Sequence, residues 1–159
     1  MEPTTLIIFY ASLALGASFL CSILEAVLLS TTHGHIVALK DTHPKISVAW
    51  SDFKDDPEGP LTAILTLNTI AHTVGALGVG HETEAAFGNG DYVIAVSATL
   101  LTLAILLLSE ILPKTIGALY WRKLTVISAR ILRILMFVLL PIVYPIEKLR
   151  SIFPSVQNE

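Results

Sequence analysis

Six polar side chains within apolar stretches of this 159-residue chain have the chemistry of a cation site. Carboxylate, hydroxyl and amide oxygens are the ligands of hard cations, whereas an imidazole suits softer transition metals. Their spacing supports a shared site, because residues separated by three, four or seven positions lie on one face of a helix. The candidate ligands are Ser18, Ser22, Glu25, Asn68, His72 and Glu110.

The elements that must position these residues are membrane helices. The chain is 53% hydrophobic and only 14% charged, with a mean hydropathy of +0.72, which exceeds what a soluble domain of this size can bury. Apolar blocks occupy residues 5–30, 61–80, 92–112 and 124–146. The first three are long enough to cross a bilayer. We therefore predict an all-α integral membrane protein, folded as a single domain over residues 1–159.

The ten Lys and Arg residues predict the orientation. None precedes the first block and none lies in residues 81–91, whereas residues 31–60 contain three lysines and the other seven basic residues follow the third block. Short cytoplasmic loops retain such residues. We expect an external N-terminus, a cytoplasmic C-terminus and a location in the plasma (inner) membrane.

The fourth block carries Arg130 and Arg133 in its first half and Pro141 and Pro145 in its second. Its uncharged part is short for a crossing, so we expect an in-plane or re-entrant helix on the cytoplasmic side. A model with four spanning helices is the alternative.

The loop of residues 31–60 alternates apolar residues with His, Lys and Asp. This pattern predicts a juxtamembrane belt of short helices, with Trp50 at headgroup depth.

Glu25 and Glu110 fall at one predicted depth, about 11 to 12 Å to the cytoplasmic side of their helix midpoints at 1.5 Å per residue. Pro113 lacks an N–H and its ring clashes with the Ser109 carbonyl, so the third helix should kink or end there. A carbonyl freed at such a break can coordinate a cation. The sequence therefore predicts a cation site between the helices.

The same residues could instead have purely structural roles. Ser18, Ser22 and Asn68 are also typical of interhelical hydrogen bonds, and His72 of a packing residue. The carboxylates are costly within a span, and their structural alternative is an ion pair with Lys114 or with an arginine of the fourth block.

Three segments, SILEAVLLS, LTLNTIAHT and SEILPKTIG, occur in an order and spacing that resembles the membrane domain of the CNNM/CorC family. The resemblance extends from about Leu6 to Leu149. It matches Ser22, Glu25, Asn68 and Glu110 to polar residues of the family motifs. The sequence departs from the family at His72, where many members have a second Asn, and at Ser109, where a Gly is common.

The resemblance implies Mg²⁺ export, generally in exchange for Na⁺, by three spanning helices with a juxtamembrane belt. It also implies a homodimer in the lipid bilayer, which the small residues Gly75 and Gly78 of the second block support. Family members usually continue into cytoplasmic CBS-type regulatory domains, and we find none in this chain.

Two other classes compete with transport. A membrane scaffold or regulatory subunit would use the polar groups only to hold helices together. An intramembrane enzyme would use His72 and a carboxylate as base and acid, but the chain has no HExxH motif and no nucleophile elbow, so we expect no enzyme. Nothing in the sequence indicates nucleic-acid binding.

Overall fold

The computed structural model describes residues 2–88 and 90–150, and within them every regular element is helical. This confirms the predicted all-α class. Asn89 of the predicted external loop and the predicted cytoplasmic residues 151–159 lie outside the described residues. The elements in chain order are α1 Pro3–Ser30, α2 His33–Thr42, α3 Pro44–Asp55, α4 Glu58–Phe87, α5 Asp91–Ala104, a π-helical segment Ile105–Ile111 and α6 Leu112–Arg150.

Three helical stretches of the described residues are long and apolar enough to cross a membrane. They are Pro3–Ser30, Glu58–Phe87 and Asp91–Ile146, so the protein is a multi-pass membrane protein. The last stretch contains 56 residues, because the predicted third span and the fourth apolar block form one continuous helical run.

Of the two outcomes predicted at Pro113, a kink or an end of the third helix, the end does not occur. The backbone instead adopts π geometry over Ile105–Ile111, and the N–H of Leu112 donates to the carbonyl of Leu107, five residues back. The helix therefore passes Pro113 with a local change of winding.

The belt consists of α2 and α3, as the alternating pattern predicts, but Trp50 does not lie at its surface. Its side chain is fully buried, its Nε1–H donates to the carbonyl of Thr125 on α6 at 3.0 Å, and its ring packs edge-on against Phe53. The indole N–H thus bonds a carbonyl on α6 rather than water, and the headgroup depth of Trp50 stays a prediction.

Two further side chains attach the belt to the longer helices. Lys54 Nζ donates to the carbonyl of Leu28 at 2.8 Å, in the last turn of α1 where carbonyls lack intrahelical donors. Burial lowers the pKa of the Lys54 ammonium. Arg133 of α6 donates through Nη2 to the carbonyl of Lys45 at 3.0 Å.

Glycines allow close approach of the helices to α1. A Cβ at Gly75 would clash with the Cβ of Ala14, and a Cβ at Gly78 would clash with the ring of Tyr10. On α6, a Cβ at Gly117 would lie 2.7 Å from the Cβ of Ala26. Gly75 and Gly78 therefore pack inside the chain, and the homodimer expectation rests on the family resemblance.

We expect Gly75→Ala to destabilise the protein by about 1 to 3 kcal/mol, the usual cost of overpacking a filled core. Gly80→Ala on the same helix is the matched control, because a Cβ there meets nothing within 4 Å. An Ala in a helix is favoured over Gly by about 1 kcal/mol, so the control should be neutral or slightly stabilising. Thermal unfolding in one detergent, followed by circular dichroism, measures both; equal effects would contradict the close α1–α4 contact.

Candidate functional site

Three interhelical hydrogen bonds connect α1, α4 and the π segment. Ser22 Oγ donates to the carbonyl of Ser109 at 2.6 Å, and Ser109 Oγ donates to the carbonyl of Leu15 at 3.1 Å. His72 Nε2 lies 2.8 Å from Ser18 Oγ. Ser18 and Ser22 are buried; the Ser22–Ser109 bond is buried, and the other two bonds are partly buried.

The contacts between α1 and α4 establish their register. Gly78 lies against Tyr10, Gly75 against Ala14 and His72 against Ser18, so residue numbers fall on α4 as they rise on α1. The two helices are antiparallel, and one further turn along this register places Asn68 beside Ser22. The structure thus brings Ser18 and His72 of the predicted site into contact, and the same register leads us to expect Asn68 next to Ser22.

Asn68 contributes the oxygen of this group that lacks a partner. Its Oδ1 is buried and has no hydrogen-bond partner in the part of the chain that the structure describes. A buried acceptor without a donor costs about 1 to 3 kcal/mol. Oxygen acceptors of this kind are suitable ligands for a hard cation.

Glu110 follows Ser109 in the π segment, and Ser109 is hydrogen-bonded to Leu15 and Ser22 of α1. Glu110 therefore lies near the part of α1 that carries Ser18 and Ser22. The Glu110 side chain and His72 both line a cavity of about 400 Å³ between α4 and the α5–π run. Most of its walls are apolar. Within residues 2–88 and 90–150, Glu110 makes neither an ion pair nor a hydrogen bond.

Glu25 has a different environment from Glu110. Its Oε2 lies 3.1 Å from Nζ of Lys114, and both side chains are partly exposed. The ion pair that the sequence left open is therefore present for Glu25. Glu25 does not line the cavity that contains Glu110, so the two carboxylates are not presented to one space in this conformation.

The described residues contain no cluster of three or more His, Cys, Asp or Glu side chains able to hold a metal ion. A cation at this group would therefore depend on hydroxyl, amide and carbonyl oxygens around one carboxylate. The sequence predicted a freed carbonyl at Ser109 but did not include Ser109 among the six candidate ligands, and its carbonyl and hydroxyl both join the group. The available signal was Pro113, which stands four residues after it and removes its α-helical donor.

The family model described as the Cyclin M transmembrane N-terminal domain (CNNM) matches residues 9–156. The UPF0053 protein sll1254 of Synechocystis sp. is 29% identical over 146 residues, which is 89% of this chain and 40% of the relative. The chain thus spans about two fifths of the length of this curated relative.

We expect Ser22→Ala to destabilise the protein by about 0.5 to 2 kcal/mol, because the buried Ser109 carbonyl loses its donor from α1. Pro113→Ala supplies an N–H that can bond the same carbonyl. The cost of Ser22→Ala should therefore be smaller in a Pro113→Ala background, which a double-mutant cycle by chemical unfolding measures. Ser12→Ala, at an exposed position of α1, is the control. Strict additivity of Ser22→Ala and Pro113→Ala would disprove the link.

Proposed function

The chain belongs to the CNNM transmembrane-domain family, and on this premise we propose that it exports Mg²⁺ across the membrane in exchange for Na⁺. The cation would pass through the polar group between α1, α4 and the π segment. Mg²⁺ is the transported ion in this proposal and not a resident cofactor.

The observation that carries the proposal is the buried, unpartnered Oδ1 of Asn68. Native interiors rarely leave such an acceptor without a donor, and each exception needs a reason. A cation beside Asn68 supplies that reason, because it would accept the oxygen as a ligand. Ser22, placed next to Asn68 by the helix register, offers a second oxygen.

Glu110 supplies the negative charge that a cation in a low-dielectric environment requires. Its carboxylate has no partner in residues 2–88 and 90–150 and opens into the cavity shared with His72. Ser18 and His72 are bonded to each other, so we assign them to the wall of the site. An imidazole ligand would favour Mn²⁺ over Mg²⁺, which makes Mn²⁺ the competing ion to test.

Glu25 would join the ligands only by exchanging Lys114 for the cation. In the observed conformation its charge is balanced by the Lys114 ammonium at 3.1 Å. The pair lies one helical turn further along α1 and α6 than Ser22 and Glu110. We propose that it stabilises this conformation of the site.

A non-transporting scaffold is the second candidate, and two contacts favour it. The Glu25–Lys114 ion pair and the Ser18–His72 hydrogen bond both join different helices without any ion. If the remaining polar groups served the same purpose, their removal would alter stability and leave ion flux unchanged.

For the cell, we propose a plasma (inner) membrane location, a homodimer and, in longer relatives of this chain, CBS-type regulatory domains on the cytoplasmic side. The family membership supports these assignments. The basic residues of the belt and α6 support the cytoplasmic orientation.

Glu110→Gln should lower Mg²⁺ affinity by at least about tenfold, because it removes the charge of a ligand and keeps its shape. Glu84→Gln is the matched control, since Glu84 is an exposed residue near the outer end of α4. Calorimetry on folded protein measures binding, and flux into liposomes is measured for Mg²⁺, Mn²⁺ and Na⁺ separately. Parent-like binding and flux in Glu110→Gln would leave the scaffold as the function.

Accessible cysteines test the orientation. In a Cys21→Ala background, Lys40→Cys on α2 should react with a membrane-impermeant thiol reagent only from the cytoplasmic side, and Tyr92→Cys at the start of α5 only from outside. Both positions are exposed. Labelling of the two from the same side would contradict the orientation, whichever ion the protein moves.

A further inference from the structure

Charges on the cytoplasmic half of the chain are segregated by element. Residues 112–146 contain five Lys and Arg and no Asp or Glu, whereas residues 31–60 contain five Asp and Glu beside three Lys. The belt loop is therefore acidic on balance, and α6 is purely basic over this range. A surface of one sign on a single helix attracts a partner of the opposite sign.

Four of the five cations in residues 112–146 lack a carboxylate partner among residues 2–88 and 90–150. Lys114 is paired with Glu25. Arg122 lies over the ring of Trp121, with its Cζ 5.2 Å from the centroid, and Lys123 lies 5.9 Å from the centroid of Tyr120. These contacts hold the side chains near aromatic rings and leave their positive charge uncompensated.

The outward side of α6 alternates cations with large apolar residues. Spacings of three and four residues place these side chains on one face, which we call the α6 stripe. Ile134 is 64% exposed and Phe137 80% exposed, and the opposite face packs into the core through Leu132 and Leu135. The stripe consists of Leu119, Lys123, Ile127, Arg130, Ile134 and Phe137.

A surface that alternates apolar and cationic side chains is well solvated neither by water alone nor by hydrocarbon alone. Contiguous exposed apolar side chains on a protein surface indicate a binding or membrane surface, and Lys or Arg at the centre of a bilayer is costly. Both requirements are met at the membrane interface, where the apolar side chains enter the acyl boundary and the cations extend to the phosphates.

We propose that the α6 stripe binds the phosphate groups of anionic phospholipids in the cytoplasmic leaflet, with the stripe at the membrane interface. Lys123 and Arg130 are the central cations of the stripe. The proposal does not depend on cation transport, since lipid binding needs none of the residues of the polar site.

A second copy of this chain is a poorer occupant of the stripe. A twofold contact would place the same surface on both sides, so Lys123 and Arg130 of one copy would face the like charges of the other. Like-charge contacts across an interface are unfavourable. Anionic lipid supplies the complementary charge and also accepts the apolar side chains.

The test uses the folded chain in detergent with phosphatidylcholine and phosphatidylglycerol, whose retained lipids are counted by native mass spectrometry. The parent should retain phosphatidylglycerol in preference. Near an anionic surface each cation contributes about fivefold to affinity, so the Lys123→Gln/Arg130→Gln variant should lose about 25-fold of that preference. Lys40→Gln/Lys45→Gln, which removes the same charge from exposed positions of α2 and α3, should lose much less.

Equal losses in the two double variants, or no loss in either, would overturn the proposal. Protection from thermal unfolding by inorganic phosphate that matches phosphatidylglycerol would assign the stripe to a free anion instead. A change in the monomer–dimer distribution of the variant in phosphatidylcholine, with the lipid preference intact, would assign it to a second copy.

Helicity in phosphatidylcholine, measured by circular dichroism, checks that the variants are folded. If the double variant unfolds, Arg130→Gln alone should lower the preference for phosphatidylglycerol by about fivefold.

Discussion

A carbonyl inside a membrane must receive its hydrogen bond from the protein, because no water is available there. In this chain the Ser109 carbonyl needs such a bond, because Pro113 has no N–H to donate to it in α-helical geometry. The donor comes instead from Ser22 on α1. This interhelical bond holds α1 against the π segment. The two elements carry Ser18, Ser22 and Glu110 of the candidate site.

The Ser22–Ser109 bond also affects which polar side chains of the three elements lie close together. Ser109 contacts Leu15 and Ser22 of α1, and the antiparallel register of α1 and α4 brings His72 to Ser18. Asn68 Oδ1 and Glu110 are then neighbours of bonded residues and have no partner among residues 2–88 and 90–150. The unpaired groups are held in place by the paired ones, which is the preorganisation that a selective binding site needs.

Much of the fold followed from the sequence, because hydrophobic blocks, basic loops and helical spacing are local signals. The three spans and the helical belt are of this kind. The burial of Trp50 inside the protein was not predicted, because its partner, the Thr125 carbonyl, lies 75 positions away in sequence. The π winding before Pro113 was not predicted, because a π turn depends on neighbouring helices and propensity does not report them.

The sequence does not predict which of the two carboxylates, Glu25 or Glu110, is paired with a cation. Both carboxylates have an apolar sequence context and the same predicted depth, yet one is paired with Lys114 and the other has no partner in the described residues. Lys114 stands four residues after Glu110, a spacing that would have allowed an ion pair within one helix. It bonds Glu25 on the neighbouring helix instead. The α6 lysine thus neutralises the α1 carboxylate and leaves Glu110 as the charged group of the cavity, a division that only the packing of the two helices determines.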